Sequence, residues 1–405
     1  MAYTNQEARE LVVKAGLKLV ELGLVARTWG NISARISDEQ FIITPSGRPY
    51  ETITPDQTVV VNISDWKYEG DIVPSDEIGV HAYIYGLHPE VNFVIHTHQQ
   101  KACIISSTDL PYILVPEKFK DILGEVVPLS GYGLPSTKKL CKQVRKAVAE
   151  FHESKAVIMK HHGTACFGKD YDEAFNIAQT LEELCRIAIH NNYLNKSNSI
   201  HFHSKEMRNY YLSQINPELQ MPNDISDLGS SVRKDDSFIL TMKSGRTYNV
   251  SLNTLDIENN VPNVAKIHKE IYKTTKANFI THLAEPYTVA VSVVGKPIIP
   301  YLDDFSQIVG TSIRVSNWNL QDMSISSKNI AYSLNGRNAV LIKNLGAICI
   351  AQYERDVAAI NSVMEKGCEC EIGVKLFESG KPIKCIDRFL MRTVYTHKYS
   401  KQANK

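Results

Sequence analysis

The stretch Asn92-Phe93-Val94-Ile95-His96-Thr97-His98 decides how this chain is read. It is apolar, rich in β-branched residues and free of Gly and Pro, so it predicts a strand over 92–98. Side chains alternate across a strand, which sets His96 and His98 on one face. Two imidazoles on one face reach one cation. A third, from a distant loop, would complete a three-nitrogen site with one coordination position left open. That is the arrangement of a catalytic ion rather than a structural one. The run His161-His162-Gly163, closing an apolar strand predicted over 156–160, supplies candidates for the third ligand. Thirteen histidines are scattered through the chain, and few others have a context that suggests chemistry.

Around this stretch the elements are short and alternate in type. Thr4 to Glu7 reads as a capping box, and Leu11, Val12, Ala15, Leu19 and Leu22 then recur at helical spacing until Gly23. Strands are predicted over 31–36, 41–44 and 59–63, with turns such as Pro45-Ser46-Gly47 between them. A helix is predicted over 77–87 after Pro74-Ser75-Asp76, another begins at 102–106, and a long amphipathic helix covers 172–191. The polar stretch NDISDLGSSVRKDDS (223–237) reads as a linker.

The second half repeats the first. Phe93-Val94-Ile95-His96-Thr97-His98 is echoed by Phe279-Ile280-Thr281-His282-Leu283-Ala284, and 156–163 (AVIMKHHG) by 339–346 (AVLIKNLG). Ser46-Gly47-Arg48-Pro49-Tyr50 is matched with Ser244-Gly245-Arg246-Thr247-Tyr248. Order is kept, as in a duplicated fold. The repeat keeps scaffold positions and loses chemical ones. His98 meets Ala284, His162 meets Leu345, and aligning His81 with His268 sets Val264 against Glu77. Only His282 persists, opposite His96. The second copy is expected to lack the leading helix and the Gly-Asn-x-Ser segment, and to be a degenerate, non-catalytic domain. The expected organisation is a domain over 1–215, a linker over 216–234 and a second domain over 235–405.

Composition excludes some partners. A length of 405 residues allows two or three domains, and 45 basic residues against 44 acidic give a formal charge of +1. No basic stripe or interleaved aromatics point to nucleic acid, and no apolar run reaches the length of a membrane span. The opening residues lack the pattern of a signal peptide. Eight cysteines at uneven spacings fit a reduced cytoplasm. Cys368 and Cys370 form an isolated C-x-C, read as ordinary helix or loop cysteines.

Four pieces of the first half belong together: Gly30-Asn31-Ile32-Ser33, Thr44-Pro45-Ser46-Gly47, Pro74-Ser75-Asp76-Glu77, and the histidines. In this order and spacing they resemble the class II aldolase/adducin family, over roughly 5–210 and more faintly over 235–375. The resemblance implies an α/β, three-layer α/β/α domain with a largely antiparallel central sheet, here in tandem. It implies His96, His98 and His162 as ligands of Zn2+ or another divalent transition metal, His162 rather than His161 because the family's ligand immediately precedes the glycine. It implies Glu77 as the acid/base group, and Gly30, Asn31, Ser46, Gly47 and Ser75 as a phosphate cradle. Asp76 stands where the family's sugar-phosphate aldolases often carry a second serine. A carboxylate there repels a phosphate dianion unless it turns away or meets a cation. Arg48 is one such cation. The tyrosine that aldolases use to protonate the leaving oxygen has no clear match: Tyr112 is out of register, and Tyr132 fits another family turn.

The activity implied is that of an aldehyde-lyase acting on a small ketose, a sugar or sugar phosphate, through an enediolate. A glutamate at position 77 favours cleavage or dehydration over epimerisation. A dehydratase or epimerase on the same scaffold, or an adducin-like binding protein without chemistry, are the alternatives. Family members assemble around shared sites, so a homo-oligomer is expected, a dimer of chains forming a pseudo-tetramer or something larger. No nucleic acid and no membrane are expected as partners.

Overall fold

The computed structural model describes residues 2–25, 29–199, 201–254 and 260–399. The chain divides into two compact units. Residues 1–195, 377–381 and 394–405 form the first; residues 196–376 and 382–393 form the second.

The first unit runs α1 (Asn5–Glu21), β1 (Asn31–Arg35), β2 (Gln40–Ile43), β3 (Val59–Asn62), α2 (Ile78–Leu87), β4 (Phe93–Thr97), α3 (Gln100–Ser106), β5 (Tyr112–Leu114), α4 (Lys120–Leu123), β6 (Val126–Ser130), α5 (Lys138–Glu150), β7 (Ala156–Met159), β8 (Gly163–Gly168) and α6 (Tyr171–Ser197). The predicted capping box forms: Thr4 Oγ1 accepts from Glu7 N–H, and Glu7 Oε2 accepts from Thr4 N–H at 2.9 Å. The strands join in the order β3-β2-β1-β4-β8-β7-β6-β5. Every neighbouring pair is antiparallel except β6–β7.

Alternation along the strands builds two cores. Phe93 and Ile95 of β4 and Ile42 of β2 pack under α1 with Val12, Leu19 and Phe175. Val94 of β4 and Phe41 and Ile43 of β2 pack on the opposite face with Val80 and Ile84 of α2 and Leu140 and Val144 of α5. Helices therefore lie on both faces of the sheet, in three layers. His96 and His98 share the parity of Val94, so they are on the α2 side. β4 sits between β1 and β8, deep in the sheet, where little movement is open to it.

The second unit contains α7 (Ser204–Ile215), β9 (Ser230–Lys234), β10 (Ser237–Thr241), β11 (Thr247–Ser251), α8 (Ala265–Thr274), β12 (Phe279–Leu283), α9 (Pro286–Val294), β13 (Val315–Ser316), α10 (Met323–Ser333), β14 (Ala339–Ile342), β15 (Gly346–Ala351), α11 (Glu354–Phe377) and α12 (Cys385–Val394). Its sheet order is β11-β10-β9-β12-β15-β14-β13. Strand for strand this repeats the first sheet, with no counterpart of β5 among the described residues. The one parallel pair, β13–β14, falls at the place of β6–β7. Phe238, Leu240 and Ile280 pack with Ile267 and Ile271 of α8 and Ile330 of α10.

Sheet register corrects two details of the repeat. Phe41 pairs with Val61, and Phe238 with Val250, so these pairs correspond. Ser244-Gly245 then forms a tight hairpin, with Met242 N–H donating to the Arg246 carbonyl at 2.9 Å, and Tyr248 lies within β11. Tyr50 instead lies buried in a 3-10 turn before β3. The shared Ser-Gly-Arg-x-Tyr string is thus not a structural match. Conversely, the second unit keeps more of the Gly-Asn-x-Ser segment than its sequence suggested, because Ser231 stands in the place of Ser33. Strand β9 begins at Ser230, inside the stretch read as linker, and α7 groups with the second unit.

Candidate active site

Each ligand candidate is placed by a rigid element. His96 lies on β4, facing Asn31 of β1 and Ala165 of β8. His98 follows the end of that strand. His162 closes the β7–β8 hairpin, where its N–H donates to the Met159 carbonyl at 3.0 Å. His161, at φ 63, makes the left-handed residue of that turn, a conformation that histidine adopts more readily than β-branched residues. Its N–H donates to the Ser106 carbonyl at 3.0 Å, and the Cys103 thiol lies 3.6 Å from the His162 carbonyl. These contacts tie the hairpin to α3. Gly163 is required by space: a Cβ there would lie 2.2 Å from the Thr97 carbonyl oxygen.

Among the described residues, one group of His, Cys, Asp or Glu side chains converges as a metal set does: His96, His98 and His162, with ligand atoms all within 4.8 Å of one another. All three rings are buried. Glu77 joins them, its carboxylate oxygens 3.0 Å from His162 Nε2 and 3.2 Å from His96 Nε2. Glu77 occupies the position just before α2, at φ −106 and ψ 21, and makes no capping hydrogen bond to the helix. A carboxylate there for the helix dipole alone would cap it; this one turns into the site.

The electrostatics identify what the set can hold. His96 Nδ1 is 2.8 Å from the Thr164 carbonyl oxygen, which can only accept, so Nδ1 carries the hydrogen. Burial drives His96 well below the usual imidazole range, outweighing the opposing pull of Glu77, and keeps the ring neutral. Its Nε2 lone pair then faces Glu77 Oε2. Burial pushes the Glu77 carboxyl up, and positive charge at the His162 and His96 positions pulls it below the usual carboxylate range, a charge that a cation held by neutral rings can supply. Two acceptors face each other, a contact that a shared cation relieves. A neutral imidazole with a carbonyl behind its far nitrogen, as at His96, suits a divalent transition ion.

The predicted cradle residues lie beside this centre on two paired segments. Pro45 bridges to Pro74; Ser46 N–H donates to the Val73 carbonyl at 2.9 Å, and Ser75 N–H to the Thr44 carbonyl at 3.0 Å. Ser46, Gly47, Ser75 and Asp76 are half-buried there. Gly30, at φ 89, brings its backbone against the His96 carbonyl, where a Cβ would sit 2.6 Å away. Asn31 is engaged more deeply than a cradle residue need be. Its Nδ2 donates to Glu77 Oε2 at 3.3 Å, and its Oδ1 accepts from His81 Nε2. Tyr112 is exposed on β5, against Phe151. Tyr132 lies edge-on to His161, with ring centres 5.4 Å apart.

Sequence reading missed His81 and Tyr85 as parts of this site and gave Ser33, though quoted in its motif, no role. The signal was present as matched periods. Asn31, Ser33 and Arg35 alternate onto one face of β1. Glu77, His81 and Tyr85 recur every four residues along α2. The two rows meet: Ser33 Oγ is 2.6 Å from His81 Nδ1 and 2.8 Å from Tyr85 Oη, and Arg35 donates to the Tyr85 carbonyl at 2.7 Å.

The second unit carries the same rows without a counterpart of Glu77. Ser231 Oγ is 2.7 Å from His268 Nδ1 and 2.8 Å from Tyr272 Oη. Val264 stands just before α8, as Glu77 does before α2. His282 keeps its place on β12, but main chain holds both its nitrogens. Nε2 donates to the Leu345 carbonyl at 2.7 Å, and Nδ1 accepts from Leu228 N–H at 3.2 Å.

Comparison with known proteins identifies the family. The sequence model of the class II aldolase and adducin N-terminal domain matches residues 10–189 and again residues 230–372. The L-fuculose phosphate aldolase of Haemophilus influenzae is 30% identical over 178 residues, which span 44% of this chain and 80% of that protein. The L-fuculose phosphate aldolase of Escherichia coli O6:H1 is 28% identical over 183 residues, 45% of this chain and 82% of that one. Among solved structures, an L-fuculose 1-phosphate aldolase superposes with a TM-score of 0.43 at 25% identity, covering 51% of this chain and 94% of its own. With the family's fold present twice, the chain belongs to the class II aldolase and adducin N-terminal domain family.

Proposed function

We propose that this protein is a metal-dependent aldehyde-lyase acting on a small ketose, a sugar phosphate, with its chemistry in the first unit. The observation that carries this reading is the buried convergence of His96, His98, His162 and Glu77. The named relatives, L-fuculose phosphate aldolases, support the reaction class. His96, His98 and His162 would hold the ion, with Zn2+ the expected one, and when bound it would supply Lewis-acid polarisation of the substrate's oxygens. Glu77 takes the proton from the carbon beside the carbonyl in the direction of bond formation and returns it after cleavage. Asn31 holds Oε2 through one amide hydrogen and offers the second to a substrate oxygen. The backbone at Gly30 and Gly47, and the hydroxyls of Ser46 and Ser75, receive the phosphate. Asp76, at the edge of the cradle, selects against a phosphate that approaches from its side. The second unit, with Val264, Ala284 and Leu345 at the corresponding positions, takes no part in the chemistry.

The test is exchange of a carbon-bound proton in dihydroxyacetone phosphate by the Zn2+-loaded protein. Glu77→Gln should lower the exchange rate by on the order of 10²–10⁴ while retaining the ion. Exchange at the wild-type rate in Glu77→Gln would remove Glu77 from the role of base. Product analysis on a panel of ketose phosphates distinguishes cleavage from dehydration and epimerisation. A panel on which only dehydrated or epimerised products form replaces the lyase reading.

A further inference from the structure

The hydrogen-bond row between β1 and α2 has a single direction, and that direction follows from which atoms can only accept. Asn31 presents Nδ2 to Glu77 Oε2 at 3.3 Å and turns Oδ1 toward His81. Amide Oδ1 only accepts, so His81 Nε2 carries its hydrogen. A neutral imidazole has one N–H, so His81 Nδ1 accepts, and Ser33 Oγ–H donates to it across 2.6 Å. The single Ser33 hydrogen is then used, so Tyr85 Oη–H donates to Ser33 Oγ across 2.8 Å. The row runs Tyr85, Ser33, His81, Asn31, Glu77. Every member is buried, where a donor or acceptor left without a partner is destabilising. Reversal at any one link leaves two donors or two acceptors facing each other.

The second unit separates what the fold needs from what the site needs. There His268 Nε2 donates to the Leu228 carbonyl at 2.8 Å, so Ser231 Oγ–H donates to His268 Nδ1 in the same sense, while the Tyr272 hydroxyl has both Ser231 Oγ at 2.8 Å and the Asn278 carbonyl at 3.4 Å as acceptors. Phe238 lies flat beside His268 as Phe41 does beside His81, at 6.1 and 6.4 Å between ring centres. The row ends on main chain, and no carboxylate follows. The tyrosine, serine and histidine are therefore a feature of the fold. What the first unit adds is Asn31, which carries the row onward to the base.

We propose that His81 is a positioning residue for Glu77. Through Asn31 it fixes the amide orientation that holds Oε2, leaving the carboxylate aimed at the ligand histidines. This rests on the assignment of Glu77 as the base, but its first test does not. In metal-free protein with 15N-labelled histidine, long-range proton–nitrogen correlation should show His81, assigned by its loss in His81→Gln, as the neutral Nε2–H tautomer. An Nδ1–H tautomer or an imidazolium at neutral pH overturns the proposal. A crystal structure of His81→Phe should show the Asn31–Glu77 contact broken; an unmoved contact overturns it as well.

Kinetics of the Zn2+-loaded protein complete the test, with the second unit as control. His81→Phe and His268→Phe remove the same fold element, so both should lower the melting temperature by similar amounts and keep the bound ion. Only His81→Phe should lower kcat for proton exchange, by roughly 10–100-fold with KM little changed, the usual cost of losing an outer partner. His81→Gln, which returns an N–H to Asn31, should recover most of that loss. Equal effects of the two phenylalanine variants on kcat reduce His81 to a structural role. A wild-type protein that exchanges no donor rejects the lyase reading instead, and the tautomer and crystal results still decide the position of Glu77.

Discussion

At the scale of single residues, adjacent positions have opposite jobs. His161 shapes the hairpin and His162 reaches the site. His161→Gly should leave metal content unchanged, because glycine accepts φ 63 without strain. His162→Gly should lose most of the bound ion, measured by elemental analysis after Zn2+ loading. Gly163→Ala meets the Thr97 carbonyl oxygen at 2.2 Å. It should destabilise the first unit by a few kcal/mol, read as a drop in denaturation midpoint. The face shared by His96 and His98 was legible because strand alternation is a local property of sequence. The choice between His161 and His162 was not, since turn dihedrals separate them and only resemblance named the ligand. The two engagements of Asn31 were equally hidden, because they depend on which helix crosses β1.

At the scale of elements, the two units solve the same problems with corresponding parts. Glu182 of α6 accepts from the N–H groups of Lys101 and Ala102 at the start of α3, at 2.7 and 3.1 Å. Glu365 of α11 does the same for Tyr287 and Thr288 at the start of α9, at 2.9 and 2.8 Å. A carboxylate borrowed from a distant helix thus satisfies donors that an N-terminus leaves open. Glu182→Ala should cost on the order of 1–3 kcal/mol, visible as a lowered denaturation midpoint, and its larger consequence should be a loosened α3 under the ligand hairpin. Asn92 and Asn278 likewise donate to the Lys169 and Gln352 carbonyls, each at 3.0 Å. Strand and helix order were legible in the repeat because buried alternation is copied with the fold. The Ser-Gly-Arg strings misled because turn sequences recur wherever tight turns do, without shared ancestry of position.

At the scale of the whole molecule, stability depends on pH through histidines that are buried in both units. Burial lowers His81 to about 3 and His268 to about 4, from the ordinary 6.5. Below pH 6.5 the unfolded chain binds protons that the folded chain refuses, so stability falls with pH and is lost progressively toward those two values. Thermal melts of His268→Phe should flatten this acid dependence; an unchanged slope between pH 6.5 and 4 would place its origin elsewhere. Metal analysis should give close to one ion per chain, and chelation should lower the melting temperature of wild type but not of His162→Gly. Light scattering should report a homo-oligomer, the one expectation about assembly carried over from the family. A last consequence concerns the way His282 is bound. A Leu345→His substitution in the second unit would set a second imidazole beside one whose two nitrogens both serve main-chain groups. That imidazole has no lone pair to give without breaking a backbone contact. A histidine at position 345 alone therefore gains no second imidazole ligand from His282 without the loss of a backbone hydrogen bond.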